Sequence, residues 1–73
     1  MFEAQIIIKN KFGEFKGRKV IVNKEQLEKI IESSKKFYTS TGMELTCEDG
    51  SFVVFPPEVS RESMMMIKNK KIE

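Results

Sequence analysis

A chain of 73 residues allows one hydrophobic core, because so short a polypeptide buries only somewhat over half of the surface its unfolded form exposes. Thirteen basic and eleven acidic side chains leave a net charge of +2, with one cysteine and no histidine. This inventory excludes an internal disulfide, a Cys/His zinc site and any nucleophilic dyad or triad built on imidazole.

No internal repeat, low-complexity tract or Pro/Ser-rich linker divides the chain, so residues 1–73 are expected to form a single domain. Met1 to Lys11 carries Glu3 and a run of only three isoleucines, which is neither a signal peptide nor a membrane span. No membrane association is therefore expected, and the lone thiol of Cys47 fits a reducing cytoplasm. In Phe2 to Lys9, the residues Phe2, Ala4, Ile6 and Ile8 alternate with Glu3, Gln5, Ile7 and Lys9, the period of a half-buried strand with Ile7 as its misfit. Asn10-Lys11-Phe12-Gly13 supplies turn residues, and Phe15 to Val22 reads as a second strand folding back on the first. Its phase breaks, since Phe15 is odd-numbered whereas Val20 and Val22 are even. One residue inserted near Gly17 and Arg18, a β-bulge, would return all three to one face.

Asn23 to Tyr38 carries Leu27, Ile30, Ile31, Ser34 and Phe37 at helical spacing, with charged residues between them. Asn23 and Gln26 have the spacing of a capping box, and Val22 and Leu27 that of a hydrophobic staple. Glu25 with Lys29 and Glu32 with Lys36 stand four apart in the favourable order. After a polar link, Met43, Leu45 and Cys47 alternate with Glu44, Thr46 and Glu48 up to Asp49-Gly50, a strong hairpin signal. A two-residue loop there opposes Cys47 to Phe52, Thr46 to Val53, Leu45 to Val54 and Glu44 to Phe55. Pro56-Pro57 ends the fourth strand, Glu58 to Ser63 reads as a loop, and Met64 to Lys68 as a short fifth strand before Asn69 to Glu73 frays. The expected fold is α+β: a small, mostly antiparallel sheet of four to five strands with one amphipathic helix on one face, in the order ββαβββ.

Catalytic chemistry is poorly provided for. Gly13, Gly17, Gly42 and Gly50 are too scattered for a phosphate loop, and alternate strand positions account for Glu44 and Glu48. No enzymatic activity, cofactor or metal is expected.

Two surfaces remain. In the register above, Val53 and Phe55 point away from the helix together with Ile7, and with the flexible Met64, Met65 and Met66 they form a candidate protein interface. The expected partner is a protein, with a homodimer as the expected assembly. Alternatively, Lys9, Lys11, Lys16, Arg18 and Lys19 on the first hairpin, with Phe12 as a stacking ring, could contact nucleic acid. Those five basic groups stand against Glu3 and Glu14 in residues 1–22, for a net +3. Residues 43–62 hold Glu44, Glu48, Asp49, Glu58 and Glu62 against Arg61 alone, for a net −4, which weakens that electrostatic footprint. In its brevity, isolated hairpins and lack of catalytic groups the chain resembles the small accessory proteins of phages and mobile elements of low-GC bacteria. The resemblance implies inhibition of a host enzyme or defence complex by occupying its surface. A non-enzymatic protein-binding module is thus the leading expectation, and a small nucleic-acid-binding protein the second.

Overall fold

The computed structural model describes residues 1–36 and 42–72 and has the α+β architecture expected: six strands in two antiparallel sheets, one main helix and one short helix. The first strand, β1 (Phe2–Asn10), is the axis of the larger sheet. A turn at Lys11 and Phe12, held by the Phe12 amide donating to Asn10 Oδ1 at 2.8 Å, reverses the chain into β2 (Gly13–Lys16). The next strand is β3 (Val20–Val22). Ile7 lies opposite Lys16 and Ala4 opposite Val20, so three steps along β1 face four steps along the returning chain. That extra residue is the bulge anticipated at Gly17 and Arg18. It brings Phe15, Val20 and Val22 opposite Ile8, Ala4 and Phe2, on one face of the sheet, while breaking the returning strand into two pieces.

Helix α1 (Lys24–Ser34) starts with the capping box: Asn23 Oδ1 accepts from the Gln26 amide at 2.8 Å, and the Asn23 amide donates to Gln26 Oε1 at 3.0 Å. Val22 and Leu27 are buried in the same cluster, as a staple requires. Glu25 pairs with Lys29 at 3.7 Å and Glu32 with Lys35 at 3.3 Å. The helix ends at Ser34, and Phe37 and Tyr38, expected in its last turn, lie outside the described residues.

β4 (Met43–Thr46) and β5 (Phe52–Phe55) form the second hairpin, but in another register: Thr46 faces Phe52, Leu45 faces Val53 and Met43 faces Phe55. The cause is the loop. Glu48, Asp49 and Gly50 make a three-residue turn closed by Cys47 NH to Ser51 O at 2.7 Å and Gly50 NH to Cys47 O at 3.0 Å. Gly50 alone has positive φ, at 92°, whereas the two-residue turn read from Asp49-Gly50 needs positive φ at both positions. Moving the register by one residue turns every side chain of β5 over. Val53 and Phe55, expected on the outside, therefore pack into the core, with Phe55 3% exposed, and Phe52 and Val54 face solvent at 60% and 62%.

After Pro56, Pro57 opens a one-turn helix, α2 (Pro57–Arg61), in the stretch expected to be a loop. The last strand, β6 (Met64–Lys71), is longer than expected: it pairs with β1 from Lys9–Met64 to Phe2–Lys71, so residues 69–71 are held and not frayed. Because β6 runs along one edge of β1, β2 and β3 share the other. The even-numbered face of β1 is covered in two parts. Helix α1 closes a cluster of Ala4, Val22 and Leu27 at one end, and the β4–β5 hairpin closes Ile8, Leu45, Cys47 and Phe55 at the other. Phe15 meets Phe55 edge to face, with ring centroids 5.3 Å apart. The helix thus covers only part of the sheet, and the second hairpin, expected to extend that sheet, packs across it. The two sheets join at a bridge between Gly17 and Cys47.

Candidate functional site

The register of the larger sheet dictates what its other face carries, since opposed residues point the same way. Four rows cross it: Ile21, Glu3 and Lys70; then Gln5 and Lys68; then Lys16, Ile7 and Met66; then Glu14, Lys9 and Met64. Both helices and the strands of the second hairpin lie on the opposite side, and of the hairpin only the turn residue Glu48 reaches round to these rows, at Gln5. Ile7 is nonetheless only 6% exposed, because the long side chains of Lys16 and Met66 flank it. Met64 and Met66 are 51% and 42% exposed, and Ile21 is exposed at the far end.

Of the candidate interface residues, Ile7, Met64 and Met66 are brought together here. Met65, opposite Ile8, turns inward against the core, as do Val53 and Phe55, so those three leave the surface. Of the candidate nucleic-acid residues, Lys9 and Lys16 share the face but both pair with Glu14, at 3.3 and 3.7 Å. Lys11 pairs with Glu62 at 3.7 Å and sits 5.4 Å from the centre of the exposed Phe12 ring, at the tip of the first hairpin. Arg18 and Lys19 occupy the bulged segment between β2 and β3.

Sequence reasoning missed Ile21, Lys68 and Lys70. The signal was present in the last two: Met64, Met66, Lys68 and Lys70 continue one period-two series, with Met65 and Ile67 on the other phase. Lys16, Lys19, Lys68 and Lys70 line a shallow hollow of about 300 Å³, in which Glu3 and Glu48 also stand. Gln5, at the floor, is buried and donates from Nε2 to the Gly17 carbonyl at 2.9 Å and to Glu48 Oε2 at 3.0 Å. This amide ties the bulge to the second hairpin.

Burial, reinforced by the Asp49 and Glu48 carboxylates, pushes the Cys47 thiol above its ordinary pKa, so it stays protonated and unreactive near neutrality. Hydrogen bonds from the Ser51 amide and hydroxyl hold the Asp49 carboxyl below its ordinary value. Both groups act within the turn. Among the described residues no three His, Cys, Asp or Glu side chains gather as a metal-binding group, and no helix is long and apolar enough to cross a membrane. No protein-family model matches the chain, and neither a curated protein nor a solved structure matches it.

Proposed function

We propose that this chain is a non-enzymatic binding module of the cytoplasm that docks a protein partner on the outer face of its larger sheet. The carrying observation is the pair of half-exposed Met64 and Met66 beside buried Ile7, bordered by Lys9, Lys16 and Lys68. A flexible, half-exposed thioether surface adapts to a partner, and the lysines around it, interleaved with Glu14, suit a partner surface of mixed charge. Such a module acts by occupying its partner's surface.

Nucleic acid is the competing reading, carried by the four lysines that share one hollow. Glu3, Glu14 and Glu48 on and beside them set three negative charges where phosphates would lie, and among the described residues no aromatic ring stands on this face to stack a base.

Affinity capture from lysate of the source cell, with wild type and a Met64→Asp/Met66→Asp variant side by side, tests the proposal. The expected result is one partner retained by the wild type and by Phe52→Ser but lost from the double variant. Retention by all three refutes it. A low-salt gel shift that disappears in Lys68→Glu/Lys70→Glu would transfer the assignment to nucleic acid.

A further inference from the structure

The molecule has a second unpartnered feature, on a different element and independent of the binding face. β5 pairs with β4 along one edge, and among the described residues no strand pairs with its other edge. The Cys47–Ser51 hydrogen bond sets the alternation: Ser51, Val53 and Phe55 turn their backbone groups toward β4, and Phe52 and Val54 turn theirs outward. The side chains of those same two residues are 60% and 62% exposed. Ser51 to Phe55 contains no charge, no proline and no glycine, so it lacks the usual devices that blunt a strand edge.

Among the described residues the other long edge without a paired strand, along β6, differs in kind. It carries Lys68, Lys70 and Lys71, and two copies placed edge to edge would oppose like charges. β5 has the opposite property, since it is complementary to itself. Around a two-fold axis through Val53, Phe52 of one copy faces Val54 of the other and Val54 faces Phe52. The outward amides and carbonyls of both then exchange four hydrogen bonds, and each facing pair is aromatic against β-branched, a favourable cross-strand combination.

We infer that a second copy of this chain pairs antiparallel along β5, joining the two hairpins into one four-stranded sheet in the order β4-β5-β5-β4. Pro56 and Pro57 end the pairing, and each copy uses its only β5 edge, so the assembly closes at two copies. So small a contact belongs to the weak, transient class, with dissociation on the order of 0.1 mM.

Sedimentation equilibrium on the full chain up to about 1 mM reads this directly. The expected result is a monomer–dimer equilibrium that Val54→Lys shifts at least about tenfold toward monomer, while Met66→Lys leaves it unchanged; thermal melts of both variants establish that they are folded. The register is read by air oxidation. Phe52→Cys/Val54→Cys should form interchain disulfides because facing residues lie about 5.5 Å apart between Cα atoms, whereas Phe52→Cys alone should not, because its two copies stand beyond about 7 Å. A wild type that is monomeric at the highest concentration, a dimer abolished by Met66→Lys and not by Val54→Lys, or equal cross-linking of the single and double cysteine variants each overturns the inference. Partner capture on the open face is read separately and does not depend on this result.

Discussion

Gly17 shows how much one residue position can carry in a chain this small. It is the site of the bulge, its amide donates to the Ile6 carbonyl at 2.7 Å, its carbonyl accepts from buried Gln5, and it bridges to Cys47 across the two sheets. A methyl group here would lie 3.1 Å from both the Ile6 carbonyl oxygen and Leu45 Cδ1. The first contact is rigid backbone, so relief must come from moving the bulge off β1, and the second pushes against Leu45 of the other sheet. Gly17→Ala is therefore expected to lower stability by about 1–3 kcal/mol in a denaturant melt. An unchanged midpoint would mean that the sheets do not approach as closely as described. The bulge was legible, because a glycine at a phase break has a local cause. The approach of Leu45 was not, since it joins residues 28 positions apart by a contact that no local pattern encodes. Gln5 is similar: alternation correctly places it on the outer face, but nothing local says that Glu48 will reach over to meet its amide.

Among the elements, the start of the helix was read completely, because a capping box and a staple are both written within six residues of sequence, whereas its end at Ser34 was not. The second hairpin was read only in part. Its existence followed from Asp49-Gly50, but its register did not, and the reason lies in β5 itself. Phe52-Val53-Val54-Phe55 offers one phenylalanine and one valine to either face, so both registers bury the same apolar set and the hydrophobic term cannot choose between them. The turn then decides, and it adds Glu48 to the loop so that Gly50 alone takes the left-handed conformation. The two phenylalanines should consequently behave very differently at micromolar protein concentration. Phe55→Ala, which empties a site against Phe15 and Ile8, is expected to cost about 3–5 kcal/mol, whereas Phe52→Ala should stay within about 0.5 kcal/mol of wild type. Equal losses in the two chemical denaturation curves would restore the two-residue turn, and with it the outward placing of Val53 and Phe55. The same ambiguity accounts for Val53 and Phe55 lying apart from the face that Ile7, Met64 and Met66 share. Ile7, Met64 and Met66 were assigned through the first strand and the last, whereas Val53 and Phe55 depended on the one register that composition leaves open.

At the scale of the whole molecule, the fold class and the order of the strands and main helix followed from periodicity, while the short helix α2 and the division into two layers did not. That division depends on β6 returning to β1 along its whole length, a pairing of the two ends of the chain that no local pattern encodes. The result is a thin body, 39 × 26 × 15 Å, in which β2 to β6 each lie at the edge of a sheet. β1 is the exception: from Phe2 to Asn10 it has a neighbour on each side nearly throughout, and it contributes Ala4 and Ile8 to the two separate clusters of the core. No partial opening can release this strand without dismantling both halves. Deuterium uptake followed by NMR should accordingly find the most protected amides between Ala4 and Ile8, exchanging only through global unfolding, with those of α1 and β5 lost earlier through local opening. On this account the opening strand of the chain is its thermodynamic keystone, and a ligand on either side of the larger sheet would be felt first as slower exchange there.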